Sequence, residues 1–84
     1  MPIYLIPRNL KESLDRYVTD AIEPGGFLRA CLENNLVEAF GRADLENRDN
    51  LFYVVEYIYN ELPSTCWGSE EKVAAWLGRG NLNA

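Results

Sequence analysis

Apolar side chains recur along the chain three and four residues apart, the spacing that places them on one side of a helix. The pattern covers about 10–22, 27–42 and 45–61, and a shorter stretch of about 69–77. Polar side chains occupy the other sides, so each stretch predicts an amphipathic helix. The sequence therefore predicts an all-α fold, a small bundle of about four helices around one core. The residues expected to be among the most buried are Leu14, Leu28, Leu32, Leu36, Phe52, Val55 and Trp76.

Residues that start and stop helices separate these stretches. Pro24 and two glycines end the first helix, and Asp44 is placed to cap the third. Ser69 is placed to cap the last helix, and Glu70 and Glu71 follow it with charges that suit the dipole of a first turn.

The chain opens on a short apolar segment between two prolines. Residues 3–6 read IYLI, with Pro2 before them and Pro7 after them. We expect a short N-terminal extended arm here, or a strand if a partner edge is present.

One amide conflicts with the second predicted helix. Asn35 falls near the middle of its apolar side. Two interpretations stay open: a buried amide whose hydrogen bonds fix the packing, or a contact to a ligand inside a pocket.

Two tyrosines lie on the side of the third predicted helix that faces away from its apolar residues. Tyr53 and Tyr57 are four residues apart and share that side with Glu46, Asn50 and Glu61. Tyrosine is enriched in interfaces because it combines area with a polar tip. These five residues are a candidate partner surface, for self-association or for another protein. The alternative is that another helix or the N-terminal arm covers both rings.

The Pro-Gly-Gly turn before the second helix suggests a ligand site. Backbone N–H groups at the mouth of a helix bind anions, and arginine and an aromatic ring would add charge and stacking. The candidate anion or ligand site consists of Gly25, Gly26, Phe27, Arg29, Arg42 and Trp67. No phosphate-binding glycine motif is present. The pattern favours a simpler interpretation, in which the glycines turn the chain and Gly25 takes a positive φ.

Composition places the chain among ordinary globular domains. It has 84 residues, enough for a single domain, with 48% apolar and 25% charged residues. The formal net charge is −5, with eight Lys and Arg scattered among thirteen Asp and Glu. A nucleic-acid-binding surface gathers positive charge, so neither nucleic acid nor an anionic membrane is an expected partner. The acidic balance suits a basic protein partner, and equally suits plain solubility.

The side chains of the common catalytic and metal sites are missing. The chain has no histidine and only two cysteines, Cys31 and Cys66. A histidine-containing zinc site is therefore excluded, two cysteines cannot complete a cysteine-only site, and histidine-activated nucleophiles are absent. We expect a protein that is not an enzyme and needs no cofactor. Pairing of the two cysteines stays open, although reduced thiols in a cytosol are the simpler assumption.

Two stretches, PGGFLRACLENNLVEAFGRAD and YIYNELPSTCWGSEEKVAAWL, resemble short uncharacterised proteins of tailed bacteriophages and prophages. Those proteins are similar in length, in an N-terminal Ile-Pro segment, in a Pro-Gly turn before a helix, and in a Trp-Gly-Ser turn before a short last helix. The resemblance covers most of the chain. It implies a phage gene product in the host bacterial cytoplasm, and it supplies no activity and no functional residues.

Three functions are compatible with these observations. The leading hypothesis is a non-enzymatic protein that binds and inhibits a host or antiviral-defence protein. The second is an oligomeric protein that sequesters a small anionic ligand, such as a signalling nucleotide, in pockets between protomers. The third is a structural or assembly component of a phage.

Overall fold

The computed structural model describes residues 4–81, with side chains as far as residue 79. Within this range the chain forms helices and no strand, which confirms the predicted all-α fold for the described residues. The helices are α1 (Arg8–Asp20), α2 (Gly26–Leu32), α3 (Leu36–Arg42), α4 (Leu45–Asp49), α5 (Leu51–Glu61) and α6 (Glu70–Asn81). Residues 4–7 precede α1 without regular structure. The start of the predicted N-terminal arm lies outside the described residues, and the arm stays a prediction.

Two asparagines divide the predicted second helix. Asn34 takes a left-handed backbone conformation, with a φ of 62°, which a short amide side chain tolerates. Asn35 then caps α3, because its Oδ1 accepts a hydrogen bond from the N–H of Glu38 at 3.3 Å. A continuous helix over residues 27–42 is therefore wrong. The amide that conflicts with an apolar helix side lies exposed at a helix start instead.

The predicted third helix is divided at Asn50, whose φ of −102° and ψ of 2° depart from helical values. As predicted, Asp44 caps the first part, since its Oδ1 accepts from the N–H of Asn47 at 2.7 Å. The amide of Asn50 donates to the carbonyl oxygen of Glu46 at 2.9 Å. Two helices, α4 and α5, thus replace the single helix predicted over residues 45–61.

The last helix is longer than predicted. Ser69 caps its start, where the side-chain oxygen accepts from the N–H of Lys72 at 3.1 Å. Helix α6 then continues through Gly78 instead of ending near residue 77. A glycine inside a helix costs only about 1 kcal/mol relative to alanine, which the burial of Val73 in the same helix offsets.

The core is built mainly by α1, α2, α5 and α6, together with the segment that joins the last two. Leu14, Leu28 and Leu32 are buried as predicted, with at most 3% exposure. Trp76 is only half-buried, so its prediction as one of the most buried residues is wrong. Its indole N–H donates to the carbonyl oxygen of Tyr17 at 2.9 Å. The largest fully buried side chains are Tyr17, Leu14, Leu32, Val54, Val73 and Cys66.

Buried hydrogen bonds hold the 62–69 segment against the core. The hydroxyl of Tyr17 donates to the carbonyl oxygen of Cys66 at 2.7 Å, and the N–H of Gly68 donates to that of Leu32 at 2.7 Å. Burial raises the pKa of Tyr17, so its hydroxyl keeps its proton and stays a donor. The first bond satisfies a carbonyl of the loop, and the second satisfies both an N–H of the loop and a carbonyl at the end of α2.

The orientation of α5 differs most from the prediction. Its buried residues are Val54, Tyr57 and Ile58. At 100° per residue, this side is rotated by roughly 100° from the predicted core side. Phe52 and Val55 are 71% and 44% exposed, so their assignment to the core is wrong.

The contacts of Tyr57 with α1 and with the N-terminal segment favour this orientation. Its hydroxyl donates to Oδ1 of Asp15 in α1 at 2.6 Å, and Nζ of Lys11 lies 5.5 Å from its ring centroid. The ring of Tyr4 meets it edge-on, with 5.3 Å between ring centroids. A buried ring whose hydroxyl has a partner stabilises this side of the helix, which a count of apolar positions does not show.

Candidate functional site

Large apolar side chains of α3 and α5 lie exposed on a surface that we term the apolar face. It consists of Leu36, Phe40, Phe52, Val55 and Tyr59. Each of the five is between 44% and 71% exposed. The predicted burial of Leu36 is therefore wrong, as is that of Phe52 and Val55.

Helical spacing and a shared pocket make this face continuous. Leu36 and Phe40 are four residues apart on α3, so they lie on one side of that helix. Phe52, Val55 and Tyr59 follow each other by three and four residues on α5. Leu36, Val55 and Tyr59 line the same pocket, which joins the two rows.

The pocket between the two rows has a volume of about 270 Å³. It is lined by Cys31, Asn34, Asn35, Leu36, Val55, Ile58, Tyr59 and Trp67. The rings of Tyr59 and Trp67 lie with centroids 6.0 Å apart, and the indole N–H donates to the carbonyl oxygen of Leu62 at 3.2 Å. Burial raises the pKa of Cys31 to about 12, so the thiol is neutral near pH 7. Apolar walls with two neutral amides suit an apolar or aromatic group.

Charged side chains border the apolar face near Phe40. The guanidinium of Arg48 lies 4.9 Å from the ring centroid of Phe40. Arg42 donates through Nε to Glu38 at 2.7 Å, one helical turn apart on α3. The pocket itself is lined by uncharged side chains, so the face combines a neutral depression with a charged margin.

The predicted partner surface does not form as expected. Tyr57 is 7% exposed, because α1 and Tyr4 cover it. Tyr53 is half-buried, and its ring lies edge-on to that of Phe52 with 5.8 Å between centroids. The prediction of two exposed tyrosines is wrong. The alternative, in which another helix and the N-terminal segment cover the rings, describes Tyr57.

The polar members of that predicted surface are spread over two helices. Glu46 is exposed on α4, Glu61 is exposed at the end of α5, and Asn50 is half-buried between these helices. Partial burial and the neighbouring carboxylate of Glu61 raise the pKa of Tyr4. Glu61 therefore borders the N-terminal segment rather than an open tyrosine surface.

Part of the predicted anion site does come together. Gly26, Arg29 and Arg42 line one open pocket of about 520 Å³. The side chain of Phe27 is buried in the core, and Trp67 lies in the pocket of the apolar face instead. The stacking ring of the predicted site is therefore in a different pocket.

Carboxylates neutralise both arginines of this open pocket. Arg29 donates to Glu23 at 2.7 Å and to Glu33 at 3.0 Å. Arg42 is paired with Glu38 through its Nε. Three glutamates and two arginines line the pocket, which leaves it without a surplus of positive charge.

The two glycines have different structural roles. Gly25 has a φ of 98°, which agrees with the predicted turn and disfavours any side chain. A Cβ at Gly26 would lie 3.0 Å from Nη1 of Arg42. The missing side chain at Gly26 therefore lets this guanidinium approach the start of α2.

Comparison of the chain with protein-family models, curated proteins and solved structures finds no match. In residues 4–81, no helix has both the length and the apolar character required to cross a membrane. No three Cys, Asp or Glu side chains of the described part are placed to hold a metal ion.

The apolar face was missed because each of its residues also fits a core position. Two local signals point to it. The sequence Asn34-Asn35, with Glu38 three residues beyond, is typical of a helix end followed by a helix start. Residues 51–59 are apolar or aromatic at every position except 56, so α5 has apolar side chains all around. A helix of that kind is normally covered on every side.

Proposed function

We propose that the protein is a non-enzymatic binding protein that acts by burying its apolar face against another protein chain. The observation that carries the proposal is α5. Its side chains are apolar all around, yet only Val54, Tyr57 and Ile58 are buried by its own chain. The row of Phe52, Val55 and Tyr59 on the other side stays between 44% and 71% exposed among the described residues. A second protein surface would complete the burial that this helix requires.

The size of the face supports this proposal. With exposures of 44–71%, its five side chains present roughly 500 Å² of mostly apolar surface, taking about 150–250 Å² for a large side chain. The largest apolar patch of a typical monomeric protein covers about 300–600 Å² and is often functional. One side of a standard interface covers about 800 Å², of which somewhat more than half is apolar. The face has the size of such an apolar centre.

The chemistry of the pocket also supports binding rather than catalysis. Asn34 and Asn35 contribute neutral amides, and the Cys31 thiol is protonated because burial raises its pKa. None of these groups is an activated nucleophile or a general base at neutral pH. The pocket is suited to hold an apolar side chain of a partner.

The partner that the proposal favours is a host or antiviral-defence protein, met in the bacterial cytoplasm. Its support is the resemblance to short phage proteins, since phage proteins of this size commonly act by binding host proteins. The net charge of −5 would favour a basic surface around the partner's apolar contact.

A capture experiment tests the proposal. The immobilised wild-type protein, Phe52→Ser and Ile22→Ser are incubated with lysate of a bacterial host, and retained proteins are identified by mass spectrometry. Ile22→Ser is the matched control, because Ile22 is an exposed apolar residue outside the face. We expect a protein that wild type and Ile22→Ser retain and Phe52→Ser loses. Equal retention by both variants, or an empty capture, would contradict the proposal.

Sequestration of a small anionic ligand is the second candidate function. It is favoured by Arg42, whose guanidinium lies against Gly26 and which lines an open pocket together with Arg29. A second protomer would have to supply further positive charge there, because the pocket's own glutamates outnumber its arginines. A thermal-shift panel of signalling nucleotides tests this function. A ligand at 100 times its Kd stabilises by about 2.7 kcal/mol; it should do so for wild type and Arg16→Ala but not for Arg42→Ala. A flat panel would reject it.

A further inference from the structure

We infer that a second copy of this chain covers the apolar face in the free protein, in a symmetric dimer. The inference rests on the proposed function in one respect, since it uses the same face. It goes further because it names the occupant and the way in which the two faces fit.

The row of side chains on α5 is complementary to itself. Two large rings, Phe52 and Tyr59, stand at its ends with about 70% exposure, and the smaller, half-exposed Val55 lies between them. The ends are seven residues apart, about 10 Å along the helix. When two such helices cross in opposite directions about a twofold axis, the small centre allows close approach. Each Phe52 then lies opposite the partner's Tyr59 end.

The pocket is placed to receive Phe52 of the second copy. The α5 residues that line it are Val55, Ile58 and Tyr59, so it lies toward the Tyr59 end of that helix. Phe52 does not line the pocket of its own chain. Antiparallel pairing would bring each Phe52 to the partner's pocket, whose volume of about 270 Å³ accommodates a phenyl ring. Phe52 of each copy would thus enter the pocket of the other copy, so the same contact occurs twice, as in an isologous interface.

The area is also sufficient for a dimer. Two apolar faces would bury roughly 1,000 Å² of mostly apolar surface, and a polar margin brings the total into the range of about 1,200–2,000 Å² that specific interfaces bury. A chain of 84 residues gains more from such burial than a larger domain would, because its single core is small.

The net charge of the chain predicts how the stability of the dimer depends on salt concentration. Each copy carries a net charge of −5, so two copies repel one another at a distance. The pocket is lined by uncharged residues, so the contact itself does not depend on ion pairs. Salt screens the repulsion and strengthens apolar burial, and the dimer should therefore become tighter as salt concentration rises. Binding of a basic protein to the same face would instead become weaker as salt concentration rises.

Sedimentation of the full chain over roughly a hundredfold range of concentration, at low and high salt, tests the inference. We expect a reversible dimer for wild type and Ile22→Ser, tighter at high salt. Phe52→Ser should weaken it by roughly 30-fold or more, as expected for an aromatic anchor. Circular dichroism checks that Phe52→Ser remains helical. A wild-type protein that stays monomeric, a dimer unaffected by Phe52→Ser, or a dimer weakened by salt would each overturn the inference.

Disulfide crosslinking provides a second test that does not depend on weakening the fold. Val55 lies near the middle of the row, close to the proposed twofold axis, so Val55→Cys should form a covalent dimer under mild oxidation. Ile22→Cys should not. Equal crosslinking of the two variants would overturn the inference. A monomeric chain that still captures a lysate protein through Phe52 would overturn the inference alone and leave the proposed function standing.

Discussion

Val54 and Val55 test the orientation of α5 directly, because they are the same residue type at adjacent positions. Val54 is fully buried, whereas Val55 is 44% exposed on the apolar face. The sequence pattern predicts the reverse for Val55, which it assigns to the core. Substitution of each by alanine removes the same two methyl groups, so any difference in stability comes from their surroundings.

The expected magnitudes follow from burial. Two buried methyl groups contribute about 1.6 kcal/mol by transfer, and the cavity left at Val54 adds roughly 1 kcal/mol. Alanine returns about 0.5 kcal/mol of helix propensity at either position. We therefore expect Val54→Ala to lower the free energy of unfolding by roughly 2 kcal/mol. Val55→Ala should change it by less than about 0.5 kcal/mol, since its methyl groups already contact solvent in the monomer.

Urea denaturation followed by circular dichroism measures both values. The experiment belongs at a protein concentration low enough to keep the apolar face unpaired, because dimer formation would add stability that depends on Val55. In a thermal scan the loss for Val54→Ala corresponds to roughly 8–16 °C in Tm for a domain of this size. If Val55→Ala costs as much as Val54→Ala, α5 does not have this orientation, and the apolar face does not exist as described.

Three further predictions concern other parts of the structure. The pKa of Asp15 lies below its ordinary value, because hydrogen bonds from a lysine and from Tyr57 outweigh burial, which alone would raise it. This contribution to stability is present above the ordinary pKa of an aspartate and is lost as the pH falls below about 4. In urea titrations, Tyr57→Phe should cost about 1–2 kcal/mol at pH 7, and its deficit should shrink in acid; a deficit independent of pH would contradict this. Gly25→Ala should destabilise by about 1 kcal/mol because of its positive φ, whereas helical Gly41→Ala, whose Cβ would meet no atom, should stabilise by up to about 1 kcal/mol; equal melting temperatures would contradict this. Cys31 should react slowly with a thiol reagent at pH 8 until urea unfolds the protein, because burial raises the pKa of its thiol. Rapid labelling of the folded chain would show that the Cys31 thiol is accessible and ionised, which would contradict this.

The helical class and several helix ends were predictable from sequence because local interactions determine them. The capping bonds of Asp44 and Ser69 join residues three apart in the chain, and the turn at Gly25 needs only that residue's freedom of φ. The end of α2, shortly before Asn34, has a signal of the same local kind. An apolar pattern that runs across it obscures that signal, so the break becomes clear only when the backbone is seen.

The composition of the candidate site was equally present in the sequence, but its exposure was not. A helix with apolar side chains on all sides does not indicate which side faces its own core. In α5, Tyr57 lies on the side that faces the core, and its hydroxyl donates to Asp15 in α1, 42 residues away in the chain. Only the tertiary structure brings these two groups together. A buried tyrosine needs a partner for its hydroxyl, and the carboxylate of Asp15 supplies one. Tyr57 therefore packs inward together with Val54 and Ile58, while Phe52 and Val55 lie at the surface.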